Sequence, residues 1–176
     1  MSRLKTREVI GDYEAFIDSI NSAFDHIGIV ADKELVMCDH LCYRVENETR
    51  YQEKKGELEA VAEEIGEVMV SGRLITTFEL NEPLAAGGWL IPWLELPSPK
   101  DGAPYIEGLE HAEFVVLGSL ADFRERHDGL PFNDKAMNKK INPELGLKIP
   151  EYNLSVKFHE IALGAVVRLE KRLSVD

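Results

Sequence analysis

The chain has 176 residues, with 20 lysines and arginines against 32 aspartates and glutamates, a net charge of −12 at pH 7, and 44% hydrophobic and 30% charged residues. That composition fits a soluble globular protein rather than a disordered or fibrous one, and the charge repels polyanions, which excludes nucleic acid and anionic membrane as partners. The length suits one domain or two small modules sharing a core, able to bury about 70% of its unfolded surface without a disulfide or structural metal.

The N-terminal stretch MSRLKTREVIGDYEAFIDS lacks the apolar run of a signal peptide, and no segment approaches the ~20 apolar residues of a membrane span, so a cytoplasmic protein is expected. From Glu8 to Ile27 the apolar residues Val9, Tyr13, Phe16, Ile17, Ile20, Phe24 and Ile27 recur at steps of three or four, which predicts one amphipathic helix stopped by Gly28. Residues 35–45 read as a strand with His40, Cys42 and Arg44 on one side and Leu41, Tyr43 and Val45 on the other. Cys38 and Cys42 in such a strand lie about 13 Å apart, beyond bridging reach, and are expected as free thiols.

Thr49 is positioned to cap a second helix carrying Leu58, Val61, Ala62 and Ile65 and ending at Gly66. Strands are predicted over Glu67–Val70, Leu74–Leu80 and Trp89–Leu96, and the stretch PSPKDGAPYIEG then reads as a linker. After it the order restarts. His111–Leu117 is a strand, Ser119 caps a helix over Leu120–His127, and residues 131–150 form a long loop with at most one short strand. Strands over Leu154–Ile161 and Ala165–Leu169 close the chain.

The expected organisation is one α+β structural domain: an N-terminal helical extension at 1–34, a first module at 35–97, a linker at 98–109 and a second module at 110–176. Each module opens on a histidine-bearing strand, His40 or His111, and closes on a strand ending in glutamate. Fifty-five residues separate His40 from Glu95 and 59 separate His111 from Glu170. Alternation places His, Glu, Arg and Cys on one sheet face and apolar residues on the other. Two histidines with one or two carboxylates suit a divalent metal ion, Zn, Mn, Ni, Co or Fe, with positions left for water or substrate. His159 shares a strand face with Lys157 and Ser155 and is read as structural. His26 and His127 fall at helix ends, and Cys42 is taken as a small core side chain.

The DHLCYRV opening, the junction ELPSPKDGAPYIEGLEHAEFVV and the closing VVRLE resemble the vicinal oxygen chelate superfamily. GRLITTFEL, taken with ELPSPK and LEHAEFVV, is similar to the YecM-like group within it. The resemblance covers about residues 38–170 and implies paired βαβββ modules forming an open, cleft-bearing barrel around a divalent metal, preceded here by an extra helix. By position it implies His40, Glu95, His111 and Glu170 as metal ligands. Glu95 could serve instead as the base that moves a proton while the metal polarises adjacent substrate oxygens and stabilises an enolate. Arg44, Arg73 and Arg168 are candidates to hold a substrate carboxylate, and Glu113 to support the ligand His111. The implied function is a metal-dependent isomerase or lyase acting on a small oxygen-rich acid. The alternatives are a non-catalytic small-ligand binding protein and an Fe(II) ring-cleaving dioxygenase. With both modules in one chain a monomer can complete the site, whereas an exposed apolar face on the first helix would favour a homodimer.

Overall fold

The computed structural model of the chain describes residues 2–70, 72–100, 102 and 104–173, with side chains described from residue 5 to residue 169. The N-terminal extension is not one helix. α1 spans Ser2–Ile10 and α2 spans Tyr13–Ile27, because Gly11 takes a left-handed φ of 85° and Asp12 caps α2 by accepting a hydrogen bond from the Ala15 N–H at 3.1 Å. Gly28, at φ 81°, ends α2 as expected. A single turn, α3 (Ala31–Glu34), leads into β1 (Leu35–Arg44).

The next helix, α4 (Glu48–Leu58), is capped by Asn47 rather than Thr49: the Asn47 side chain accepts from the Arg50 N–H at 2.9 Å. It also stops earlier than its apolar spacing implies. Residues Ala62–Val70, including Ile65 and Gly66, form β2, since pairing with β3 (Arg73–Ala86) satisfies a full ladder of backbone groups that a longer helix would leave to solvent. β3 runs through Asn81 and Pro83, expected as a loop, by way of an irregularity between Glu79 and Leu84. Its partner β4 (Trp89–Pro97) is joined through Gly87 and Gly88, whose φ values of 53° and 86° suit a two-residue hairpin.

The second half contains β5 (Gly108–Val116), α5 (Leu120–Arg126), β6 (Glu144–Ile149) and β7 (Leu154–His159). Ser119 caps α5 as predicted, accepting from the Asp122 N–H. The last expected strand is a helix: α6 spans Leu163–Leu173. Leu163 and Val166, three residues apart, are buried while Arg168 and Leu169 are exposed, a spacing that presents one apolar stripe from a helix and that a strand would split between two faces. The strand that lies parallel beside β5 is therefore β7.

Among the described residues seven strands form one mixed sheet in the order β2-β3-β4-β1-β5-β7-β6, confirming the α+β class. β1 and β5 are antiparallel at the centre, and each has a parallel closing strand outside it, β4 for β1 and β7 for β5. One face of the sheet is the core. Phe78, Leu94, Ala112, Phe114, Val156 and Phe158 pack there with Ile17, Ile20 and Phe24 of α2 and Phe123 of α5. The Phe123 and Phe158 rings are 4.7 Å apart and those of Phe24 and Phe114 5.1 Å, within the range where aromatic pairs add to simple burial. Cys38 and Cys42 are buried free thiols. Among the described residues no helix is long and apolar enough to cross a membrane.

α6 lies over the other, polar face. A Cβ added to Gly164 would stand 2.8 Å from Trp93 Cε2 and 2.9 Å from Cη2, closer than real carbon contacts allow. Gly164→Ala is therefore expected to destabilise the fold by about 1–3 kcal/mol through overpacking. Denaturant unfolding checks this, and a change below about 0.5 kcal/mol would mean that α6 does not depend on the close approach to Trp93.

Candidate metal and ligand cleft

Register fixes which polar side chains meet. His40 pairs with Trp93 on one side and Glu113 on the other, and Cys42 with Glu95 and His111, so the four strands β4, β1, β5 and β7 present His40, Glu95, His111, Glu113 and Lys157 on one face. A bulge between Cys38 and His40 frees Asp39 from the alternation, and Asp39 uses that freedom. It is fully buried, accepts the Nδ1–H of His40 at 2.9 Å, and accepts the Leu163 N–H at the start of α6 at 3.0 Å. His159 donates from Nδ1 to the Ile161 carbonyl at 2.7 Å and turns Nε2 towards Asp39 Oδ2 at 3.4 Å.

With Nδ1 committed to Asp39, the other nitrogen of His40 points into the cleft. Nε2 is buried and has no hydrogen-bond partner. It lies 3.5 Å from Glu95 Oε2 and 3.4 Å from Glu113 Oε1. Glu113 Oε1 is the hub of the site: His111 Nε2 stands 3.1 Å from it and Lys157 Nζ 2.8 Å. Burial favours a neutral Glu113, yet the charges of Lys157 and His40, with the hydrogen bond from His111, hold its pKa well below the carboxylate range. Glu95 is likewise opposed by burial and kept low by His40. Burial disfavours a charged His40, but Glu113 and Glu95 with the Asp39 bond outweigh it and raise its pKa.

His40, Glu95 and Glu113 line a cleft of about 580 Å³ walled by Arg73, Ile75 and Thr77 of β3, Glu144 and Lys157, and Leu163 and Val166 of α6. One triple with ligand atoms within 4.8 Å of one another is His40, Glu95 and Glu113. The set of residue types fits a divalent ion: one imidazole whose second nitrogen is held by a carboxylate, with two carboxylates beside it.

The residues expected from the sequence are only partly gathered. His40 and Glu95 meet in the cleft, and His111 meets Glu113 beside them. His111 also faces Glu110 at 3.3 Å and belongs with Cys42 and Glu110 to a separate cluster. Glu113, expected as a support for His111, stands within reach of His40 as well. Arg73 lines the cleft, its Nη1 donating to the Tyr105 hydroxyl at 3.4 Å. Arg44 turns away to pair with Glu110 and lines a different cleft over the Tyr105 ring. Arg168 is exposed on α6. Glu170 lies on α6 rather than on a closing strand, and its side chain falls outside the described residues. Asp39 and Lys157 were not expected in the site. A lysine on a strand face ordinarily marks solvent, and only its alternation with His159 pointed to the cleft.

A family model described as YecM protein matches residues 5–151. Protein YecM of Escherichia coli strain K12 is 24% identical over 180 residues, with 94% of each chain covered. A solved structural-genomics protein superposes with a TM-score of 0.75 at 23% identity, covering 94% of this chain and 93% of that one. A variant of Streptomyces coelicolor methylmalonyl-CoA epimerase, solved with 2-nitronate-propionyl-CoA, reaches a TM-score of 0.53 at 16% identity over 73% of this chain and 96% of the epimerase. The Mycobacterium tuberculosis epimerase reaches 0.52 at 14% identity, covering 80% and 97%. At these identities the solved structures share the fold.

Proposed function

The chain belongs to the YecM protein family, and from that premise we propose that it is a divalent-metal enzyme of vicinal oxygen chelate type, an isomerase or lyase acting on a small oxygen-rich acid. The observation that carries this reading is His40 Nε2. A buried ring nitrogen without a hydrogen bond costs about 1–3 kcal/mol, and this one is aimed at two carboxylates by a hydrogen bond from the far side of its ring. His40, Glu95 and Glu113 would hold the ion, with His111 beside Glu113. A divalent cation there supplies Lewis acidity to adjacent oxygens of a bound acid.

The chain's own groups do the rest. Glu95 has the more accessible carboxylate, 17% exposed against 7% for Glu113, and its oxygen not given to the ion is assigned to take and return a proton. Arg73 on the cleft wall offers a guanidinium to a carboxylate of the substrate. Leu163 and Val166 on α6 shed water from the rim. The fold shared with methylmalonyl-CoA epimerases supports isomerisation over other chemistries of the same cleft.

A second reading, a binding protein without chemistry, is favoured by one observation: Lys157 and a charged His40 already balance Glu113 and Glu95 without an ion. Metal analysis separates the two. Protein purified without chelators and offered Zn, Mn, Ni, Co or Fe(II) is expected to carry one divalent ion per chain by elemental analysis. A protein that takes up none of them overturns the enzyme reading and leaves the binding protein.

A further inference from the structure

The centre of the sheet has a local two-fold relation. β1 and β5 pair antiparallel with Leu41 opposite Ala112. Exchanging these two residues exchanges His40 with His111 and Cys42 with Glu113. The closing strands follow the same rule: Glu95 of β4 stands beside Cys42, and Lys157 of β7 stands beside Glu113. Glu95 and Lys157 are therefore counterparts. Where the first module closes on a carboxylate, the second closes on an ammonium, and this half of the cleft has a cation in place of a further ligand.

That cation is held firmly. Lys157 Nζ lies 2.8 Å from Glu113 Oε1 and 3.6 Å from Glu144 Oε1. Charge also decides what the cleft accepts. Arg73, Lys139 and Lys157 line it against Glu67, Glu95, Glu113 and Glu144, an excess of one negative charge that a protonated His40 cancels. A divalent ion taken in place of that proton leaves an excess of one positive charge. An anionic ligand is then attracted, and the fixed ammonium stands beside an oxygen of the ion's own ligand Glu113.

We infer that Lys157 selects the ligand of this cleft, holding one oxygen of a small carboxylic acid whose neighbouring oxygens reach a divalent ion bound by His40, Glu95 and Glu113. This rests on the metal reading above. It makes a doubly oxygenated carboxylic acid, such as a 2-oxo or 2-hydroxy acid, the substrate class, and it makes ligand binding depend on both the ion and the lysine.

Calorimetry on the full chain tests it, with Mn²⁺ alone and then with oxalate on the Mn²⁺-loaded protein. Lys157→Met is expected to bind Mn²⁺ at least as tightly as the unsubstituted chain, because a neighbouring positive charge is gone, while its oxalate affinity falls tenfold or more. Lys157→Arg is expected to recover oxalate binding to within about threefold, and it carries the test if Lys157→Met does not fold. An oxalate affinity that falls less than tenfold in Lys157→Met, no oxalate binding to the loaded unsubstituted chain, or loss of Mn²⁺ together with the lysine each overturns the role of Lys157 while leaving the metal reading standing. Failure of the unsubstituted chain to bind Mn²⁺ or any of the other divalent ions overturns both.

Discussion

Replacing His40 with alanine is expected to weaken divalent-metal binding by about a hundredfold or more, and to remove the rise in melting temperature that the ion produces. Loss of a group that merely orients a ligand weakens binding about 10–100-fold, and His40 is itself the nitrogen ligand of the proposed set. Its ring is oriented by Asp39 at 2.9 Å, and its Nε2 faces Glu95 and Glu113. In the unsubstituted chain an ion at a hundred times its dissociation constant stabilises by about 2.7 kcal/mol, which thermal unfolding with and without the ion resolves. The substitution also acts on the metal-free protein. The Glu95 and Glu113 carboxylates lose the imidazolium that faces them, and breaking a buried ion pair costs about 3–5 kcal/mol. The partial exposure of Glu95 and the remaining contact of Glu113 with Lys157 place the effect at the low end. A variant that binds Zn²⁺ or Mn²⁺ within twofold of the unsubstituted chain would show that the ion does not sit on His40.

The second large effect is expected at Asp39. Asp39→Ala is expected to lower stability by about 2–4 kcal/mol and to weaken metal binding by about 10–100-fold. Two structures hang on this one buried carboxylate: the His40 ring, through Nδ1, and the start of α6, through the Leu163 N–H bonded at 3.2 and 3.0 Å to its two oxygens. Its removal leaves both donors without their acceptor at a site with no exposure. α6 carries Leu163 and Val166 over the cleft, so the same substitution is expected to speed amide exchange across residues 163–167. Hydrogen exchange checks that directly. Normal metal affinity in a variant whose α6 exchanges freely would separate the two roles and assign Asp39 to the helix alone.

The links between Asp39, His40 and α6 also explain what was legible in the sequence and what was not. The face of α2 that carries Ile17, Ile20 and Phe24 could be read from spacing, because a helix buries every third or fourth residue whatever it packs against. The meeting of His40 with Glu95 could be anticipated because both alternate onto the polar faces of their strands. Asp39 could not, since a bulge suspends alternation and no local pattern marks where one falls. Glu170 was misplaced for the opposite reason. VVRLE alternates well enough to read as a strand, and only the burial of Leu163 and Val166 against the cleft makes it a helix. Gly66 and Ile65 were drawn into β2 because β3 offered a ladder of hydrogen bonds that outweighed the helical spacing of Val61, Ala62 and Ile65.

By itself the sequence determined the α+β class, the polar and apolar sides of most strands, and the residue types able to hold a metal ion, because these depend on side-chain period and composition alone. The tertiary structure decided which strands are neighbours. With β7 rather than a later segment beside β5, Lys157 stands opposite Glu113 where a glutamate was expected. Pairing partners far apart in the chain are chosen by the combined burial and backbone hydrogen bonding of the whole sheet, and no local stretch of sequence carries that sum.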